Sequence, residues 1–290
     1  MLNALLKYRK EHNMSQSCGK YKKLAFIGSG KIASAVACGL VSGKTVPAEY
    51  ITVYNRNSNK FSQFEKLGIK TSLDLASAVA NAEYIFLAVK PNVVADVLKQ
   101  LSAIEGVLDR ATVVSFAAAV SMQYMTNVVG REFPIIRTMP STPILIGEGV
   151  LAVTPNNLVK PKEFQFFCRM MSYIAHVTAI DEALMNPIIS VQGSSPAYVY
   201  LFVKAMLDAA QEQGIDNKTA LPLILKTLKG SVSMIEKSGQ DIDTLISNVA
   251  SPNGTTLAAL NSFKEDDFCG SVSRAMWACT KRADEISAEM

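Results

Sequence analysis

The chain has 290 residues, of which 49% are hydrophobic, and its 29 basic and 25 acidic residues leave a net charge of +4. That length suffices for two domains or one large α/β domain, and with no run of about eighteen apolar residues it offers no transmembrane helix. Much of the positive excess sits in Lys7, Arg9, Lys10, Lys20, Lys22 and Lys23, so the rest is near neutral and shows no nucleic-acid footprint.

Residues 1–22 carry one acid, Glu11, and lack a secretory apolar core. Leu2, Leu5 and Leu6 would share one face of a short helix, so the stretch reads either as a flexible leader or as an organelle-targeting one. From Leu24 to Ile27 an apolar run long enough for one buried strand follows, then Gly28-Ser29-Gly30, then Ile32, Ala33, Val36, Ala37 and Leu40 at helical spacing. A strand, a glycine turn and a helix in that order form a dinucleotide cradle. Gly28 permits the tight turn, Gly30 lets the backbone approach a pyrophosphate, and Ala33 is small enough for close helix–strand packing. The helix amino end would turn free N–H groups and a positive dipole toward the phosphates.

Tyr50–Tyr54 makes a second strand, ending in Asn55-Arg56. An NAD-selective site usually places a carboxylate here for the ribose 2′-hydroxyl. An arginine without that carboxylate suits a 2′-phosphate, so NADP(H) is the preferred cofactor, with NAD(H) as the alternative. A short helix over Lys60–Leu67, a strand at Ile69–Thr71 and a helix over Leu73–Val79 come next. Strands at Tyr84–Val89 and Ala111–Phe116 flank a crossover helix at Val93–Leu101. Phe133–Arg137 is a further strand, Met139–Pro143 a rigid turn, Gly149–Thr154 a last strand and Glu163–Ala175 a helix.

The alternation predicts an α/β domain with a doubly wound parallel sheet up to about residue 180. Beyond Asp181 only helical runs occur: Ala197–Gln213, Lys218–Lys237, Thr244–Val249, Thr256–Phe263 and Phe268–Ile286. The second is apolar over more than one face, with Leu221, Leu223, Ile224, Leu225, Leu228, Val232, Met234 and Ile235. Such a helix is buried in its own bundle or against another subunit, so oligomerisation through this half is expected.

Cys18, Cys38, Cys168, Cys269 and Cys279 form no CxxC pair and read as reduced thiols of a reducing compartment, the cytoplasm with mitochondria left open. The two histidines, His12 in the leader and His176 before a strand, support neither histidine catalysis nor a metal site.

Five stretches in register resemble the pyrroline-5-carboxylate reductase family: Ile27–Ala33, Leu87–Pro91, Arg137–Pro143, Gly193–Tyr198 and Ser251–Thr256. The glycine fingerprint is generic, whereas the last two are specific to that family. The resemblance implies a Rossmann domain over 23–180, then an all-helical substrate-binding and dimerisation domain over 181–290. It implies a homodimer or a multiple of dimers, with no nucleic-acid or membrane partner. The activity implied is hydride transfer from NAD(P)H to the C=N carbon of 1-pyrroline-5-carboxylate, giving L-proline.

By the same resemblance the cofactor would touch Gly28, Ser29, Gly30, Lys31, Ile32, Ala33, Asn55 and Arg56. Ala88, Val89, Lys90 and Pro91 with Phe116, Ala117 and Ala118 would flank the nicotinamide half. Substrate would meet Glu182, Asn248, Ser251, Gly254, Thr255 and Thr256, the Thr256 hydroxyl serving the ring nitrogen. Ala119 and Ser195 stand where the family has glycines, Ser141 where it has asparagine, Gln192 a serine, Lys226 a glutamine and Asn253 the first glycine of its turn. A catalytically silent nucleotide-binding paralogue and a reductase of another cyclic imine are the alternatives. A β-hydroxyacid dehydrogenase would need a lysine one turn after the glycine-rich start of the long helix, and Lys204 lies eleven residues after Gly193.

Overall fold

The computed structural model describes residues 21–290; His12, Cys18 and the leader through residue 20 lie outside them. Among the described residues the chain forms an eight-stranded sheet and a set of helices, divided into two compact units. The first unit runs to Gly193 and takes in Arg282–Met290; the second is Ser194–Lys281. The contact-based boundary at Gly193 and the return of Arg282–Met290 to the first unit describe packing, beside the expected division at residue 180.

In the first unit β1 (Leu24–Ile27) leads into α1 (Lys31–Ser42), followed by β2 (Ile51–Tyr54), α2 (Ser62–Glu65), β3 (Lys70–Ser72) and α3 (Leu75–Val79). Next come β4 (Tyr84–Leu87), α4 (Val94–Ser102), α5 (Val107–Arg110) and β5 (Thr112–Ser115). Then follow α6 (Met122–Val129), β6 (Ile135–Pro140), β7 (Gly149–Pro155), α7 (Pro161–Met171) and β8 (Ala175–Ala179). The strand order is 3-2-1-4-5-6-7-8. The chain moves outward on one side of β1, then returns to β4 on the other. That makes the carboxyl ends of β1 and β4 a topological switch point, where α/β sheets bind ligands.

Strand residues alternate between two cores because successive side chains leave opposite faces. Leu24 and Phe26 join Phe86 and Val114 beneath α1 and α7, whereas Ala25 and Ile27 join Ile85, Leu87 and Val113 beneath α3, α4 and α6. Phe26 and Phe86 stack with centroids 4.4 Å apart at 5°.

Three expectations are corrected. The sheet is not wholly parallel, for β7 runs antiparallel to β6. Only a short 3₁₀ segment, Thr142–Ile146, connects them, and a parallel crossover needs about a dozen residues or more. Met139 and Pro140, expected in the turn, are the end of β6 and pair with Ala152 and Leu151. The helix expected to reach Ala175 stops at Met171, and Ala175–Ala179 pairs with Gly149–Val153 as β8, so His176 lies within a strand rather than before it.

The second unit contains α8 (Ser195–Glu212), α9 (Asn217–Lys237), α10 (Ile242–Val249), α11 (Thr255–Glu265) and most of α12 (Phe268–Ala288). Asp216 and Asp241 cap α9 and α10, their carboxylates accepting from Thr219 N and Thr244 N. These helices bury little within one chain: Leu201, Leu223, Val249 and Trp277 are each more than 60% exposed. Among the described residues no helix is long and apolar enough to cross a membrane.

Candidate functional site

The turn between β1 and α1 sits at the switch point, and its two glycines do different work. Gly28 has φ +109°, and a Cβ built there would stand 2.5 Å from the Ala88 carbonyl oxygen. Its N–H donates to Tyr54 O at 2.8 Å, tying the turn to the end of β2. No other residue fits, because the backbone conformation and the approach of β4 both exclude a side chain. Gly30 has an ordinary φ of −74° as the amino-terminal cap of α1, and the nearest atom to its hypothetical Cβ is 4.0 Å away. Its missing side chain leaves open space beside the helix end rather than relieving a clash.

No side chain caps α1, so its first N–H groups stay free for an anion. Ala33 is fully buried against the sheet, as close packing there requires, and Ser29 is buried while Lys31 is exposed.

A cleft of about 360 Å³ brings Gly28, Asn55, Arg56 and Val89 together. Leu75, Val93 and Val97, outside the expected site residues, give this cleft apolar lining; the amphipathic spacing of Val94, Val97, Leu98 and Leu101 is the signal in the sequence for α4's inward face. On the other side of the turn Ser29, Gly30, Lys31 and Ser34 face Asn59, Lys60 and Gln63 across a second cleft of about 450 Å³. Lys60 adds a cation there that the sequence reading assigned only to a helix.

The carboxyl ends of β4 and β5 lie side by side. Ala88 N donates to Ile27 O at 2.9 Å, and Phe116 N to Leu87 O at 3.1 Å. Phe116 and Ala117 are buried and Ala118 is half-buried, so small residues border the strand ends as expected. Lys90 is exposed, and Pro91 starts the 3₁₀ turn into α4.

Glu182 opens a short 3₁₀ turn, Glu182–Leu184, of the first unit. One of its carboxylate oxygens accepts from Met122 N at 2.8 Å and lies 3.4 Å from the Arg137 guanidinium. Arg137 also donates to Asn186 Oδ1 at 2.7 Å. Burial lowers the Arg137 pKa, and Glu182 partly offsets this by favouring the charged form. In this chain Glu182 thus anchors the start of α6 and balances a buried cation.

The other expected substrate residues gather at one turn of the second unit. Asn253 takes φ +59°, a left-handed conformation that asparagine tolerates. Gly254 N donates to Ser251 O at 3.0 Å, and a Cβ on Gly254 would meet Ser251 Oγ at 2.5 Å, so the turn is closed tightly. Unlike α9 and α10, α11 starts with no side-chain cap, and Thr255 and Thr256 open it with free N–H groups. Asn248 is exposed on α10 and donates to Gln240 Oε1 at 3.1 Å. Among the described residues, no three His, Cys, Asp or Glu side chains converge to hold a metal ion.

Residues 182–286 match the family model described as pyrroline-5-carboxylate reductase dimerisation, and residues 23–119 match NADP oxidoreductase coenzyme F420-dependent. The chain is 34% identical over 269 residues to pyrroline-5-carboxylate reductase of Escherichia coli K12, spanning 92% of this chain and 98% of that one. It is 32% identical over 268 residues to the enzyme of the same name from Corynebacterium melassecola, spanning 91% and 98%. The crystal structure of Plasmodium falciparum pyrroline carboxylate reductase with NADP bound superposes with a TM-score of 0.84 at 27% identity, covering 92% of this chain and 98% of that one. The chain belongs to the pyrroline-5-carboxylate reductase family.

Proposed function

We propose that the protein reduces 1-pyrroline-5-carboxylate to L-proline with NADPH, the last step of proline biosynthesis. The observation that carries this is the uncapped glycine turn of β1–α1, with Arg56 in its cleft, in a chain spanning 98% of a reductase of that name. The residues present fit a dinucleotide. Gly30 leaves room that a Cβ would fill, α1 offers free N–H groups, and Arg56 supplies the charge a 2′-phosphate needs. Gly28 through Ala33 with Asn55 and Arg56 would hold the pyrophosphate and adenosine half, and Ala88–Pro91 with Phe116–Ala118 the nicotinamide half.

When bound, the nicotinamide supplies the hydride. The chain's own task is to hold and orient. In this reading the free N–H groups of Thr255 and Thr256, with Ser251 and Gly254 shaping the turn, take the substrate carboxylate, and Thr256 Oγ1 bonds the ring nitrogen. An iminium carbon is already electrophilic, so positioning supplies most of the rate effect and no histidine is needed. The domain assignment follows the two units, nucleotide to the first and substrate to the second.

Exposed Leu201, Leu223 and Trp277 fit a homodimer formed through the second unit. Cys38, Cys168, Cys269 and Cys279 are free thiols, which fits a reducing compartment, in this reading the cytoplasm.

The test is a turnover assay with the full chain. NADPH absorbance should fall only when pyrroline-5-carboxylate is present, and proline should accumulate. Tight NADPH binding without turnover would favour the silent paralogue, and turnover only with a larger ring would favour the other imine reductase.

A further inference from the structure

The segment following β5 is held in an unfavourable shape. Ala119 has φ +63°, a left-handed conformation that costs an alanine more than a glycine. It directly follows Phe116-Ala117-Ala118, the stretch assigned to the nicotinamide half, so something outside the segment must fix it.

That something is the last turn of α12. Ser287 Oγ donates to Ala119 O at 2.6 Å and, more weakly, to Ala283 O at 3.0 Å. Asn186 Nδ2 donates to Ser287 Oγ at 3.0 Å and to Asp284 Oδ1 at 2.9 Å. Asn186 is held in turn by Arg137, whose other partner Glu182 accepts from Met122 N. The loop is thus tied at Ala119 from the carboxyl terminus and at Met122 from Glu182. Within the loop itself Ala117 N donates to Ser115 Oγ at 3.3 Å. Met290 packs on the same face of the sheet as Met122 and Met125, which seats the tail there.

We propose that the carboxyl-terminal turn is a latch for the cofactor site and that Ser287 is a positioning residue for hydride transfer. It acts through Ala119, without touching cofactor or substrate itself. The hydroxyl offsets the left-handed strain at Ala119 and so keeps Ala117 and Ala118 where the nicotinamide half would lie. This rests on the reading of the chain as an NADPH-dependent reductase.

The experiment uses the full chain carrying Ser287→Ala, Ser287→Thr, Ala119→Gly and the double variant Ala119→Gly/Ser287→Ala. Losing one such hydrogen bond should lower kcat/KM for NADPH and weaken its Kd by roughly three- to tenfold. The KM for the imine should be unchanged and Tm should fall by no more than about 5 °C. Ser287→Thr keeps the hydroxyl and should behave as the unmodified protein. In the double variant glycine takes the left-handed conformation without cost, so the loss should shrink to within about twofold.

The latch is overturned if Ser287→Ala matches the unmodified protein, if its loss follows Tm, or if Ala119→Gly gives no rescue. NADPH Kd is read by fluorescence titration without turnover. If the unmodified chain fails to reduce pyrroline-5-carboxylate, the functional reading fails while the Kd comparison still decides the latch.

Discussion

Alanine at Gly28 and alanine at Gly30 should fail in opposite ways. At position 28 the backbone sits at φ +109°, where a non-glycine residue costs on the order of 1–3 kcal/mol. The new Cβ would also stand 2.5 Å from Ala88 O and 3.0 Å from Ala88 C, so β4 and the turn must part, adding about 1–3 kcal/mol of overpacking strain. The sum, roughly 2–6 kcal/mol, corresponds to a fall in Tm of about 4–24 °C for a unit of this size. At position 30 the φ of −74° suits alanine and nothing lies within 4 Å except Ala88 O at that limit. The folding cost there is only the weaker capping of alanine relative to glycine, about 1 kcal/mol or less.

Thermal melts with and without NADPH separate the two. The unmodified protein should gain about 2.7 kcal/mol of stability at a hundredfold excess of ligand over Kd. Gly30→Ala should melt near the unmodified protein without ligand and lose most of that gain, because its methyl occupies the space beside the helix end. Gly28→Ala should melt low in both conditions. If Gly28→Ala melts as the unmodified protein, the close approach to Ala88 is not a constraint. If Gly30→Ala keeps the full ligand-induced gain, the space beside α1 is not where phosphates bind.

Arg56→Ala should weaken NADPH by about 1.5–3 kcal/mol and leave NADH nearly unchanged; equal loss with both would show that Arg56 serves the adenine or the fold. Thr256→Val should cost about 1–3 kcal/mol in kcat/KM with NADPH Kd unchanged, and a matching fall in Tm would make it a structural residue instead. Leu225→Asp on the exposed side of α9 should give monomer or aggregate in light scattering, whereas a dimer of normal stability would remove α9 from the interface. Asp216 and Asp241 have lowered pKa values, held down by the backbone N–H groups of Thr219 and Thr244. Their contribution is therefore present above about pH 3.9, the unfolded value, and lost as pH falls through the lower folded values. Helicity followed by circular dichroism should drop in that acid range, and Asp216→Asn with Asp241→Asn should flatten it; an unaltered acid profile would discount the caps.

The parts of the fold legible in the sequence are those whose signal is local. Leu24–Ile27 and Tyr84–Leu87 are buried on both faces, so they read as continuous apolar runs, and the five carboxyl-terminal helices announce themselves by the spacing of their apolar residues. What escaped is set by pairing at a distance. The strand expected after His176 in fact begins at Ala175, because its pairing with Gly149 on β7, which no local pattern shows, sets where it starts. Helix α6 lies outside the expectations although Ser121 caps it and Gly130 ends it at φ +76°, because it is only two turns long and follows a run of alanines that reads as a strand end. Of the site, the glycine turn and Asn55-Arg56 were readable because motif and position coincide. The contacts of Glu182 were not readable, because nothing local tells that Met122 N and Arg137, far away in the chain, converge on its carboxylate.

The departures from the family's sequence pattern follow the same logic. Ser141 is buried and bridges to Val150, its N–H donating to Val150 O and its Oγ accepting from Val150 N, both at 2.9 Å. Gln192 is buried and donates to Met139 O at 2.7 Å, which places its longer side chain against the end of β6. Asn253 tolerates the left-handed conformation that its turn demands. Each of these replacements therefore finds its compensation in its own side chain. Ala119 is different: a methyl group can neither hydrogen-bond nor relax φ +63°, so its compensation has to come from another residue. In this chain the hydroxyl that meets its carbonyl belongs to Ser287, 168 residues away in sequence. In the proposed reading, the loss of a glycine beside the nicotinamide segment thus draws the last turn of α12 into the site, a link that sequence proximity alone would never suggest.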